Sequence, residues 1–207
     1  MGRGRLGGMR RALVLLAMIA FVASACADER PSLSGGPSPV ETSAEPTPTP
    51  TGDDLAGASC KDQQGGDPAN NPDFTEVRVE DEPEQGTEKV EFRFEPKKGS
   101  AEAPLWFAGF VPQLITDGEG APVDALGEAF VSVSFMARGV DLSGETFEPI
   151  YTGPTEFTDT GLSTVLEVEQ TGDFEGLVSW GIGLSHEACF VVDARPDRLI
   201  LEFPVTP

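Results

Sequence analysis

One histidine, one tyrosine and three cysteines in 207 residues leave this chain short of the side chains that most catalytic and metal chemistry uses. A Ser-His-Asp arrangement would have to use His186, yet Ser185 is its immediate neighbour and no Gly-x-Ser-x-Gly elbow occurs. His186 is expected in a solvent-facing loop. A closed zinc site needs more nitrogen and sulfur ligands than one histidine and two cysteines expected to pair can furnish. Gly118-Glu119-Gly120 lacks the phosphate-loop pattern and carries a repelling charge. Apolar residues never keep a 3.6-residue period for three turns, which excludes a helical bundle. Basic residues are scarce as well, 14 against 35 acidic, for a net charge of −21. That sign repels phosphate backbones and excludes a nucleic-acid partner.

What is present divides the chain at Cys26. Arg3, Arg5, Arg10 and Arg11 precede an apolar run, Ala12–Ala23, and no acidic residue occurs before Cys26. A membrane span needs about 20 apolar residues, so this shorter run is expected to be a signal-peptide core. Arg10-Arg11 hints at twin-arginine export, but the residues after the pair do not strengthen it, and the general secretory route is expected. Val22-Ala23-Ser24-Ala25-Cys26 resembles a bacterial lipoprotein cleavage box, with small residues at −3 and −1 and the cysteine just after the cut. The expected organisation is a cleaved signal over 1–25, a lipidated cysteine and linker over 26–59, and a folded domain over 60–207. Lipid on Cys26 would hold the protein outside the cytoplasm on the cell membrane, since two acyl chains suffice for stable attachment. Without the four leading arginines the mature chain carries 10 basic and 35 acidic side chains, a net −25.

Two cysteines then remain, Cys60 and Cys189. In an oxidising compartment they are expected to form a disulfide rather than stand as two separate buried thiols. Closing about 130 residues stabilises a fold by up to roughly 5 kcal/mol in the chain-entropy account. The linker holds Pro31, Pro37, Pro39, Pro46, Pro48 and Pro50 among Ser, Thr, Gly and Glu, a composition that buries too little to order itself. At about 3.1 Å per residue it reaches roughly 100 Å fully extended. It is expected to act as a stalk.

From residue 60 onward the dominant signal is period-two alternation bounded by Gly, Pro and Asp. Strands are expected at Phe74–Glu80, Glu88–Glu95, Leu105–Ile115, Ala129–Arg138, Thr164–Glu169, Gly176–Leu184, Cys189–Asp193 and Arg198–Phe203. The Leu105–Ile115 run is apolar nearly throughout, as for a strand covered on both faces, with Pro112 marking a bulge or edge. Gly139–Gly161 is expected to be an irregular crossing. Turns are expected at Gly172-Asp173 and Ala194-Arg195-Pro196-Asp197. Seven to eight mainly antiparallel strands make an all-β fold, a β-sandwich or flattened barrel.

Asp173-Phe174-Glu175-Gly176-Leu177-Val178-Ser179-Trp180-Gly181-Ile182-Gly183-Leu184, with Arg198-Leu199-Ile200-Leu201-Glu202-Phe203, resembles the end of an AMIN-like domain. Phe74-Thr75-Glu76-Val77-Arg78-Val79 and Val90-Glu91-Phe92-Arg93-Phe94 resemble its opening strands, so the likeness covers roughly residues 70–204. Such domains occur in exported proteins and lipoproteins of Gram-positive, high-GC bacteria. The resemblance implies a β-sandwich, and by kinship with AMIN domains a non-catalytic role in localising envelope proteins, in several cases through cell-wall glycan. It supplies no catalytic residues. The chain departs from the family's pattern at Ser185-His186-Glu187-Ala188-Cys189, where a cysteine is not usual.

Three function classes remain in view. The expected function is a non-enzymatic binding or scaffolding domain for cell-wall glycan or an envelope protein; the aromatics Trp106, Phe107, Phe110 and Trp180 would be its platform if exposed, but most of them are expected to be core. An envelope hydrolase would need two carboxylates in a groove, and 35 acidic residues make any pair uninformative. A subunit of a membrane complex would show a contiguous apolar patch. Asp67, Asn70, Asn71 and Asp73 crowd one loop and Asp117, Glu119 and Asp124 another, but neither matches an EF-hand and no metal or cofactor is assigned.

Overall fold

The computed structural model describes residues 55–141, 143–144 and 146–205. The expectations for the signal segment, Cys26 and most of the linker fall outside the described residues. Twelve strands follow one another: β1 Gln63–Gly65, β2 Asp73–Glu82, β3 Thr87–Glu95, β4 Trp106–Val111, β5 Ala129–Met136, β6 Val140–Asp141, β7 Glu148–Pro149, β8 Glu156–Phe157, β9 Val165–Phe174, β10 Leu177–Leu184, β11 Val191–Arg195 and β12 Arg198–Pro204. They make a six-stranded sheet in the order β1-β4-β5-β10-β9-β8, a four-stranded sheet in the order β11-β12-β3-β2, and the small β6–β7 pair. All strand pairs are antiparallel. The two large sheets pack face to face as a sandwich and do not close into a barrel.

Alternation builds the core directly. Val90, Phe92 and Phe94 of β3 and Leu199, Leu201 and Phe203 of β12 face Val131, Val133 and Phe135 of β5 and Val178, Trp180, Ile182 and Leu184 of β10. In β2 the apolar spacing breaks step, since Phe74 and Val77 are both buried although three residues apart. A bulge between Phe74 and Glu76 absorbs the extra residue and turns both side chains inward. The outer face of the four-stranded sheet carries a lattice of charges, with Lys89 paired to Glu80 and Glu82, and Arg78 to Glu76.

Three expectations are corrected. β4 ends at Val111, not Ile115, because the chain from Pro112 to Glu128 leaves the sheet and crosses its outer face. Leu114 is buried there over Gly181, while Ile115 is exposed. Nor is β4 covered on both faces, because Phe107 is 43% exposed. Finally, Gly172-Asp173 lies within β9, and the turn falls at Glu175-Gly176, whose φ values of 53° and 80° suit a tight hairpin. Gly172 serves another purpose: a Cβ there would stand 2.1 Å from the Asp117 carboxylate.

Candidate functional site

At one end of the sandwich the two sheets are stitched together at a corner. The backbone just past β5 runs beside the start of β2, with Arg138 N donating to Pro72 O at 2.8 Å and Phe74 N to Arg138 O at 3.0 Å. On its other side Ala137 N donates to Gly176 O at 3.0 Å, fixing the β9–β10 hairpin against the same corner. Gly139 follows, and its lack of a Cβ matters. A methyl at that position would lie 1.9 Å from an Asp173 carboxylate oxygen.

Between this corner, the β6–β7 hairpin and the β9–β10 turn lies a groove of about 670 Å³. Asn71, Arg138, Asp141, Phe147, Asp173 and Phe174 are among its lining residues. Phe174 is 68% exposed and Phe147 78% exposed, two of the few large apolar side chains outside the core. Arg138 is ion-paired with Asp73, and Asp141 accepts from Ser143 N at 2.9 Å. Hydrogen bonding from Ser143 holds the Asp141 carboxyl below its usual range. Asp173 differs. The residue is exposed as a whole, but its carboxyl group lies down against Gly139, and desolvation raises its pKa. Among the described residues, no group donates a hydrogen bond to it. Asn71 Oδ1, also in the wall, is enclosed and accepts none.

The structure separates the aromatic residues named from the sequence. Trp180 is completely buried and Trp106 nearly so, because both occupy inward positions facing the second sheet. Trp180 meets Phe74 and Tyr151 edge-on, with ring centroids 6.1 and 5.9 Å apart. Phe110 packs on Phe190 at 5.8 Å. Only Phe107 faces outward, beside a smaller groove of about 340 Å³ with Gln64, Ser132 and Ser134. The proposed platform of Trp106, Phe107, Phe110 and Trp180 is therefore not assembled. Phe147 and Phe174, which do line a groove, carry no local sequence mark beyond an apolar residue next to turn-forming glycine or acid.

Cys60 and Cys189 are joined by a disulfide, with Cα atoms 4.4 Å apart. Ser185 Oγ lies 3.0 Å from His186 Nδ1, and His186 is half-buried in the loop after β10. Apart from Asn71, the oxygen-rich loop at 67–73 spends its groups internally: Asp67 Oδ1 accepts from Ala69 N, Asn70 holds Glu102 O and Ser100, and Asp73 holds Arg138. Among the described residues, no three His, Cys, Asp or Glu side chains gather as a metal site. Glu167 and Glu169 are neighbouring acids on β9. Burial and then the neighbouring carboxylates of Glu167 and Glu156 raise the Glu169 pKa. Glu167 is buried and accepts from Leu126 N at 2.9 Å, and neither residue lines either groove.

A family model described as the AMIN-like domain matches residues 72–204. No curated protein and no solved structure matches the chain.

Proposed function

The chain belongs to the AMIN-like domain family, and on that premise we propose that its β-sandwich is a non-catalytic binding domain, held outside the cytoplasm by a lipid on Cys26. The linker acts as a stalk that carries the domain clear of the bilayer, and the ligand surface is the groove between the β6–β7 hairpin and the β9–β10 turn. The observation that carries this reading is the exposure of Phe147 and Phe174 on that groove. Large apolar rings left in water beside convergent polar groups mark an interaction surface. The ligand is an envelope protein. A second reading, a neutral face of cell-wall glycan, is favoured by the same rings, since aromatic side chains stack on sugar faces. The strongly anionic surface weighs for the protein reading, because walls are themselves anionic.

Retention of the mature-length chain on separated wall and membrane fractions tests this, with Cys26→Ser used to free it from its own anchor. F147A/F174A is expected to reduce retention on the membrane-protein fraction at least about tenfold, the loss of two buried aromatic contacts. Retention unaffected by that variant would remove the groove from the function, and retention on walls alone would favour glycan. Incorporation of a tagged fatty acid into the wild-type chain but not into C26S tests the anchor.

A further inference from the structure

We propose that the groove between the β6–β7 hairpin and the β9–β10 turn receives a lysine or arginine side chain presented by a partner polypeptide. The proposal rests on the preceding assignment of that groove as the ligand surface, and it adds the chemistry of the occupant.

The charges around the groove are unbalanced. Among the described lining residues the one cation is Arg138, which is ion-paired with Asp73 and acts only as a minor influence on Asp141. Asp141, Asp173 and Glu175 then remain on the lining with no cation paired to any of them among the described residues. Of these, Asp173 lies with its carboxyl group pressed against Gly139, where no group among the described residues donates a hydrogen bond to it. A carboxylate in that position is costly without a donor. Desolvation accordingly raises its pKa, with Arg138, Asp141 and Glu175 the charged groups around it. A lysine ammonium or arginine guanidinium supplies the missing donors and the missing charge together. Phe147 and Phe174 suit the same guest, because ring faces attract cations and aliphatic stems pack on them. The chain's own linker is a poor candidate occupant. Between Cys26 and Asp54 it carries Arg30 as its only cation against six acidic residues. A second copy of so acidic a chain is equally unsuited.

Amide NMR of the mature-length C26S protein provides the test. The probes are acetyl-Gly-Lys-Gly-amide, its Gln counterpart and a chito-oligosaccharide. The lysine peptide is expected to shift the amides of Gly139, Asp173 and Gly176, and the Gln peptide to leave them in place. D173N is expected to weaken the lysine response roughly two- to fivefold, the range of a partly exposed charge pair. E84Q, an equal charge change at an exposed position away from the groove, is expected to leave it unchanged. Shifts spread over the whole acidic surface, or a response indifferent to D173N, overturn the cation assignment. If F147A/F174A still abolishes envelope retention in that event, the groove remains the ligand surface and only its occupant was misassigned. Groove shifts with the oligosaccharide alone likewise overturn the cation and point to glycan.

Discussion

Glu88 stands on the same face of β3 as Val90 and Phe92, yet it is a carboxylate and only 2% exposed. Its oxygens accept from Ser163 N at 2.7 Å, Ser163 Oγ at 2.9 Å, Thr164 N at 2.9 Å and Val165 N at 2.7 Å. One side chain of the four-stranded sheet thus satisfies the backbone that leads into β9 of the other. Glu88→Ala leaves those amides unpaired and is expected to cost about 3 kcal/mol, with Glu88→Gln costing roughly half as much. Urea denaturation reads this as a lowered midpoint at unchanged slope. Asp173 behaves in the opposite sense. Its folded-state pKa is raised above the usual 3.8, so the fold holds the neutral form more comfortably than the charged one. The stability this group contributes is complete below the unfolded pKa and is lost as pH rises through the folded pKa. Asp173→Asn is therefore expected to be more stable than wild type at pH 7, with the difference vanishing as pH falls below 3.8. Thermal melts of the two proteins at both pH values check the sign. A stability gain on removing a groove residue is what a binding site built at some cost to the fold should show.

The segment from Pro112 to Glu128 has little structure of its own, yet it covers the outer face of β9 and β10. Asp117 N donates to Thr171 O at 2.9 Å, Leu126 N to the Glu167 carboxylate at 2.9 Å, and Glu128 N to Leu184 O at 2.8 Å. Glycines make the bed. A Cβ at Gly181 would meet Leu114 at 2.3 Å, and one at Gly183 would meet Leu126 O at 1.9 Å. Gly183→Ala is expected to lift the segment, since backbone cannot yield as a side-chain tip can, and to cost about 1–3 kcal/mol. Hydrogen exchange should show the Leu126 and Glu128 amides losing protection while those of β3 and β12 keep theirs. Element scale is also where the limits of sequence reading lie. Most of the long strands were legible because alternation such as Val90-Glu91-Phe92-Arg93-Phe94 states which face is buried, whereas β4, in a nearly continuous apolar run, concealed both its end and its exposed face. β1, β6, β7 and β8, of two or three residues each, are too short to show a period. The period of β10 places Gly181 and Gly183 opposite Trp180 and Ile182, with nothing in the sequence to reveal that a distant loop needs their emptiness. The groove was illegible for a related reason: Asn71, Arg138, Phe147 and Asp173 are brought together by a bulge, a corner and two turns, not by spacing. Trp106 and Trp180 stood out by residue type alone, and the structure buries both.

At the scale of the whole molecule, charge and covalent closure oppose each other. Residues 55–205 hold 9 basic and 29 acidic side chains, and that surplus repels itself across a small body. The core answers with two interlocked sheets, and the Cys60–Cys189 bond adds a closure spanning 129 residues. The bond also sits where the chain enters the fold, beside the Ser59–Phe190 bridge that ties the same stretch to the start of β11. Removing it with Cys60→Ser and Cys189→Ser together should cost up to roughly 5 kcal/mol, the chain-entropy value for a loop of this length. Self-repulsion makes that cost depend on solvent. At low ionic strength the unbridged protein has to hold its acidic surface together by packing alone, whereas about 0.5 M salt shortens the screening length below the spacing of most surface charges. The exposed ion pairs on the four-stranded sheet weaken under the same screening, but each contributes little. The net effect of salt is therefore stabilising, and larger for the unbridged variant because its unfolded chain is free to expand and relieve the repulsion. Melting temperatures of both proteins across a salt series should converge as salt rises. Parallel curves would mean that the disulfide acts independently of the charge it encloses.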